Sequence, residues 1–345
     1  MSGKNETATL AIALLVTLGL LGVGVWLFRQ PLSQLLDNSP SSRTSNNSQK
    51  TYKTFAEVPD VPSGLFNYGG STTWAPIRKD LDSAIQTVHP SFQLRYTNPT
   101  AGTPGSGSGI RMLLQDQLAF SQSSRSLKDE EYQQAKQRGF SLEQIPVAID
   151  GIAIAVHPDL EVPGLTISQL QEIYAGNITN WNQVDGPNLP IIPYSRRPED
   201  GGTVEFFMEN VLGDKEFSQN VEFVPTTTQS LRLVAQNPGS LYYASAPEVV
   251  PQCTIKTLPI GRQAQQWVKP YQEPRMSPQD CLNGKPNQLN ASAFQSGDYP
   301  ITRRLFVIVK QNGQIDRQAG ETYAQFLLTD QGQELMKQAG FVRLK

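Results

Sequence analysis

Two long β-rich runs constrain this chain more than any other feature. Val147–Val156 and Ile301–Lys310 (ITRRLFVIVK) are near-continuous apolar stretches, the first being the end of PVAIDGIAIAV. Runs of this kind read as strands buried on both faces. They flank a middle block of about 145 residues. A chain that leaves one lobe, builds a second and returns needs two such crossings. The predicted division is lobe 1 over 52–149 plus 300–345 and lobe 2 over 150–299. Two lobes create a cleft, and α/β proteins bind ligands at the carboxyl ends of parallel strands.

Around these runs the chain alternates strand-like and helix-like segments. Leu65–Tyr68 reads as a short strand, and Pro76 opens a helix through Ile77, Leu81, Ala84, Ile85 and Val88. Phe92–Tyr96 alternates as a strand. Ile110, Leu113, Leu114 and Leu118 share one helical face, and Leu118–Ser121 reads as a buried strand. Such alternation argues an α/β fold with largely parallel sheets. At 345 residues the chain is long enough for two cores.

The N-terminus stands apart. Thr7–Phe28 (TATLAIALLVTLGLLGVGVWLF) carries no charge over about 22 residues, long enough to cross a ~30 Å hydrocarbon core. It lacks a small-x-small cleavage site and a lipid-anchor Cys, so an uncleaved transmembrane helix is favoured over a cleaved signal. Residues 29–51 are polar and aperiodic and read as a disordered linker with an r.m.s. reach of ~25 Å.

Three short turns resemble one another: Gly69-Gly70-Ser71-Thr72-Thr73, Gly105-Ser106-Gly107-Ser108-Gly109 and Asp200-Gly201-Gly202-Thr203. Each leads into a helix-like stretch. The first N–H groups of a helix have no intrahelical partner and carry the positive end of its dipole. Gly permits close backbone approach, and Ser or Thr hydroxyls add donors. Three such turns, with Arg197 ahead of the third, point to donor loops converging on one oxyanion. Arg suits bidentate oxyanion pairing, Glu199 is placed to brace it, and Pro198 stiffens the turn. Ser121-Gln122-Ser123-Ser124-Arg125 offers hydroxyls and a second guanidinium at a strand's carboxyl end. Asp150, inside an apolar crossing, needs a partner; a hinge hydrogen-bond acceptor and a ligand contact are both open.

Other chemistries find little support. Net charge is −2, so no broad basic field exists to attract nucleic acid. Two cysteines, Cys253 and Cys281, exclude zinc-ribbon pairs. His89 and His157 each precede a proline, which makes them poor metal ligands or catalytic bases. The glycine turns fit neither G-x-G-x-x-G nor the Walker pattern, and no G-x-S-x-G elbow occurs. The chain reads as a binder without cofactor or metal, not an enzyme.

In order along the chain stand GGSTTWAP, GSGSGI, SSRSLKDEE, IPVAIDGIAIAVHPD, LTISQLQEIYAGNITNW, SRRPEDGGT and YPITRRLFVIV. This set resembles the phosphate-binding subunit of bacterial phosphate ABC importers, within the type II periplasmic binding proteins, over roughly Phe66 to Lys345. The resemblance implies a two-lobed fold that captures inorganic phosphate in an interlobe cleft and delivers it to ABC permease subunits. It further implies an extracytoplasmic location, here tethered to the cytoplasmic membrane by the N-terminal helix. By position, Thr72 and Thr73 match the first ligand loop, and Ser106 with Gly107 the second. Ser124 falls where some members carry an aspartate, and others have Ser followed by Arg, as here with Arg125. Arg197 matches the phosphate-pairing arginine, Glu199 its brace, and Gly202 and Thr203 the third loop.

Two departures bear on strength and selectivity. Gly201 stands where a Ser is usual, removing one hydroxyl donor. The missing aspartate removes an acceptor for the proton of monohydrogen phosphate, which sulfate lacks. A binder of sulfate, or a phosphate sensor or interaction protein on the same fold, are the competing readings. In an oxidising compartment Cys253 and Cys281 would close a disulfide loop.

Overall fold

The computed structural model describes residues 52–198 and 201–344. Eleven strands are present among them: β1 (Gly64–Gly70), β2 (Phe92–Tyr96), β3 (Phe120–Ser123), β4 (Ser141–Val156), β5 (Leu165–Thr166), β6 (Ile192–Ser195), β7 (Glu222–Phe223), β8 (Ser240–Ser245), β9 (Lys256–Leu258), β10 (Ile260–Gly261) and β11 (Thr302–Gln311). Nine of these form one sheet in the order β2-β1-β3-β11-β4-β8-β6-β7, with β9 also paired to β4. β5 and β10 make a separate pair.

The sheet is mixed, which departs from the largely parallel arrangement expected. β1 runs parallel to β2 and β3, and β6 runs parallel to β7 and β8. The two crossing strands are the exception. β11 is antiparallel to both β3 and β4, and β4 is antiparallel to β8 and β9. The reason is connectivity: a strand that returns to lobe 1 beside the strand that left it must run the opposite way. The pairing of β4 and β11 also joins the two sets of parallel strands into one sheet instead of two.

Apolar packing is two-lobed. One cluster gathers Ile149, Ile152–Val156, Trp181, Tyr243, Phe294 and Ile301, with Val342 from the C-terminus. Another gathers Phe55, Tyr68, Trp74, Phe92, Phe120, Val147, Val307, Tyr323 and Phe341. A smaller one packs the Ser106–Leu114 helix, through Ile110, Met112 and Leu113, against Phe306 and Ile308. β4 contributes to both large clusters, Val147 and Ala148 to one and Ile149 onward to the other. In the second cluster Phe120 stacks on Tyr323 with ring centroids 4.6 Å apart. Each such fully buried ring contributes about 1.5–3 kcal/mol by leaving water.

Cys253 and Cys281 form a disulfide with a Cα–Cα distance of 5.5 Å. It ties the segment after the Ala246–Val249 helix to the Pro278–Leu282 helix. The expected transmembrane helix at 7–28 and the linker at 29–51 lie outside the described residues. Among the described residues no helix is long and apolar enough to cross a membrane.

Candidate functional site

The three turns meet. Ser71, in the first, donates its hydroxyl to Ser124 Oγ at 2.9 Å. Ser106, opening the second, lies 3.2 Å from the same Ser124 Oγ and accepts the Ser124 backbone N–H at 3.0 Å. All three serines are buried. The third turn lies against them: a Cβ placed on Gly202 would sit 2.8 Å from Ser124 Oγ, 3.1 Å from Ser71 Oγ and 3.6 Å from Ser106 Oγ. Gly105 approaches the third turn too, its would-be Cβ lying 3.9 Å from Gly201 Cα.

Local sequence explains how the turns reach one another. β1 ends in Gly70, whose φ of +119° favours glycine and whose would-be Cβ falls 2.1 Å from Gln122 O. Gly109 in the second helix packs on Gly70 Cα with no room for a side chain. The first turn is then pinned to β3 by the fully buried Trp74, whose indole donates to Ser123 O at 3.2 Å.

Helix starts in this chain differ in whether a side chain caps them. Thr166, Thr226 and Thr329 each cap a helix with their own hydroxyl. The Ser106–Leu114 helix begins at Gly105 and the Gly202–Phe207 helix at Gly201, and neither has a side-chain cap. The second of these continues directly into a wider helical turn over Met208–Leu212. Two helix N-termini without side-chain caps therefore flank three buried hydroxyls. A hydroxyl both donates and accepts, so this cluster can reorient its hydrogens toward an anion, and backbone N–H groups at helix starts complete the same chemistry.

Two arginines are held in this region, each by carboxylates. Arg125 makes a fork to Glu131, Nη1 to Oε2 at 3.0 Å and Nη2 to Oε1 at 2.8 Å, while its Nε donates to Glu205 Oε1 at 3.0 Å. Burial alone would lower the Arg125 pKa, but Glu131 and Glu205 outweigh it and hold the guanidinium charged, above its usual range. Gly107 sits beside this group, its would-be Cβ 3.5 Å from Arg125 Nη2. Arg303, on β11, donates to Asp150, to Gly202 O at 3.1 Å, to Thr73 Oγ1 at 3.0 Å and to Thr203 Oγ1 at 3.2 Å.

Of the residues singled out in the sequence, Thr73, Ser106, Ser124, Gly202 and Thr203 are thus brought together, with Gly107 at the edge. Thr72 is half-buried, its Oγ1 2.9 Å from the would-be Cβ of Gly201. The Arg125 fork faces Glu131, so its main partners are protein carboxylates. Arg197 is exposed on the segment leading into the third turn. Its expected brace, Glu199, lies outside the described residues. Asp150 accepts from Arg303 Nε at 2.9 Å and from the Ser245 hydroxyl at 2.7 Å. Sequence reasoning passed over the Ser71 hydroxyl, Glu205 and Arg303. Ser71 stood in the first quoted turn and Glu205 two residues beyond the third, while the only signal for Arg303 was a charged pair inside an apolar run.

Comparison with known proteins gives a consistent set of likenesses. The family model for a PBP superfamily domain matches residues 42–331. The phosphate-binding protein PstS of Staphylococcus epidermidis is 27% identical over 282 residues, covering 79% of this chain and 77% of that protein. PstS of Staphylococcus saprophyticus is 26% identical over 283 residues, covering 80% and 79%. Among solved structures, a phosphate ABC transporter substrate-binding protein from Clostridium perfringens, with phosphate bound, superposes with a TM-score of 0.62 at 22% identity, covering 82% of this chain and 100% of that one. An ABC-type phosphate transport receptor from Vibrio cholerae gives 0.61 at 22% identity, covering 81% and 99%. These structural likenesses establish the fold.

Proposed function

This chain belongs to the PBP superfamily, and from that premise we propose that it is an extracytoplasmic binder of inorganic phosphate that delivers its anion to an ABC permease. The observation that carries the proposal is the meeting of Ser71, Ser106 and Ser124 beneath the backbone of Gly202. Hydroxyls and helix-start N–H groups around one point form a donor set for a tetrahedral oxyanion. The PstS names of the relatives support phosphate as that oxyanion. In this reading Thr72, Thr73, Ser106, Gly107, Ser124, Gly202 and Thr203 supply donors, and Arg197, braced by Glu199, supplies charge. Arg125, through Glu131 and Glu205, ties the end of β3 to the helix that follows the third turn. Lobe 1 comprises 52–149 plus 300–345 and lobe 2 comprises 150–299, and the lobes close on the anion. The apolar stretch at 7–28 tethers the binder to the cytoplasmic membrane through the 29–51 linker. The activity is capture and release, with no bond made or broken.

Calorimetric titration of the full chain in detergent micelles with inorganic phosphate tests this. A saturable single-site heat with micromolar or tighter affinity is expected, weakened most by Arg197→Ala and only partly restored by Arg197→Lys, since Lys cannot form the fork. No heat with phosphate at millimolar concentration refutes the proposal.

A second oxyanion is favoured by one observation. Ser124 is a hydroxyl where an aspartate would accept a phosphate proton, and a hydroxyl can donate to fully deprotonated sulfate as well. Competition between phosphate and sulfate from about pH 5 to about pH 8 separates the two. Displacement of phosphate by equimolar sulfate would move the reading to a general oxyanion binder.

A further inference from the structure

Arg303 and Asp150 face each other across the two crossing strands, as direct partners in the β4–β11 register. Both side chains are at most 1% exposed. Both carboxylate oxygens are engaged: Oδ2 accepts from Arg303 Nε at 2.9 Å and lies 2.7 Å from Nη2, and Oδ1 accepts from the Ser245 hydroxyl. That fixes the plane of the guanidinium. Its remaining N–H groups then point to Gly202 O, Thr73 Oγ1 and Thr203 Oγ1. Arg303 therefore bonds the first turn and the third turn at once, from the strands that join the lobes.

The direction of these bonds matters. Arginine has donors only and stays protonated, so each threonine oxygen that it contacts must accept. A threonine hydroxyl whose oxygen accepts from a cation keeps its own hydrogen for another acceptor. The ion pair is neutral as a unit, so it adds little net charge to the site. Such a buried pair is also a poor source of stability, because desolvation offsets most of its attraction. Its value lies in geometry. We infer that Arg303, locked by Asp150, is a positioning residue that holds the Thr73 and Thr203 hydroxyls as donors to the bound oxyanion and fastens the first turn to the third. This rests on the reading of the site as an oxyanion site, and it goes beyond that reading by adding a residue that does not itself touch the anion.

The test is a double-mutant cycle on the full chain in detergent micelles, titrated with inorganic phosphate. One arm is the neutral pair Asp150→Asn with Arg303→Gln, which leaves no unpaired carboxylate; the other is Thr73→Val with Thr203→Val. Should the neutral pair not melt cooperatively, the apolar pair Asp150→Leu with Arg303→Met replaces it. Removing the pair from the parent is expected to weaken phosphate binding at least about tenfold. In the Thr73→Val, Thr203→Val background the same change is expected to cost less than about threefold, because the hydroxyls it orients are gone. An equal loss in both backgrounds assigns the pair a general structural role and overturns the inference. So does unchanged affinity in a parent background that binds phosphate. A parent chain that does not bind phosphate overturns the site reading itself, a result distinguishable from either of the others.

Discussion

Replacing Gly202 by alanine adds one methyl group at the point where the three turns meet. The new Cβ would lie 2.8 Å from Ser124 Oγ and 3.1 Å from Ser71 Oγ, where ordinary contact begins near 3.4 Å. The Ser124 hydroxyl cannot swing aside freely, because Ser71 and Ser106 hold it from two directions. The methyl must therefore push the third turn outward by about 0.6 Å or break the hydroxyl cluster. Overpacking of this size costs roughly 1–3 kcal/mol. The strain arises only where the turns touch, so it penalises their meeting and not the interior of the apolar clusters. At about 1.4 kcal/mol per tenfold, phosphate affinity should fall by about 5- to 150-fold. Calorimetric titration reads that loss, and thermal unfolding without phosphate should stay within a few degrees of the parent. Gly202→Ala binding within about twofold of the parent would refute the reasoning. So would a large fall in Tm accompanied by unchanged affinity.

Gly201→Ser should weaken phosphate binding, although a serine there would appear to restore a missing donor. Gly201 has φ +119° and its Cβ would fall 2.9 Å from Thr72 Oγ1, so the substitution costs on the order of 1–3 kcal/mol in backbone strain alone; tighter binding in titration would contradict this. Asp82→Asn should flatten the acid limb of the stability profile. Burial pushes the Asp82 carboxyl up to about 6, against hydrogen bonding from Tyr68 and the attraction of Arg78. The folded form thus holds its proton more tightly than the unfolded chain. Stability from this group is full below about pH 4 and falls by on the order of 2–3 kcal/mol as pH rises to about 6. Urea unfolding from about pH 4 to about pH 7 should show that slope in the parent and lose it in Asp82→Asn; a slope retained by the variant refutes the assignment. Reducing the Cys253–Cys281 bridge, which spans 28 residues, should cost about 2–4 kcal/mol in the same assay, and no change on reduction would exclude a stabilising role.

Much of the scaffold was legible because it rests on patterns local in sequence. The crossing strands showed as apolar runs, and the helix after Pro76 showed as a 3.6 period. Strand direction was not legible, because β4 and β11 are brought side by side only after a whole lobe intervenes. The glycine-rich turns were legible as a set, since Gly, Ser and Thr before a helix are chemically distinctive, and the fold brings the three together. What joins them was hidden. Arg303 is bonded to Asp150 across 153 residues and to Thr73 across 230, and neither partner can be inferred from spacing. Arg125 is the opposite case, with a partner close in sequence. Its position beside Ser124 implied a guanidinium for the ligand, yet Glu131 lies six residues on, within the acidic start of the next helix, and takes the fork. A basic residue followed at short range by an acidic helix start is first a candidate for that pairing.

The central claim is that the three turns converge on one oxyanion. Arsenate has the shape and charge of phosphate and carries an anomalous scatterer. Diffraction at the arsenic absorption edge from crystals of the chain grown with arsenate would locate the anion without reference to any assumed site. The account predicts one strong anomalous peak within hydrogen-bonding distance of Ser71, Ser106 or Ser124 and of the Gly202 backbone, and its loss when phosphate is added in excess. A peak elsewhere, or no ordered peak at concentrations that saturate binding in solution, would contradict it.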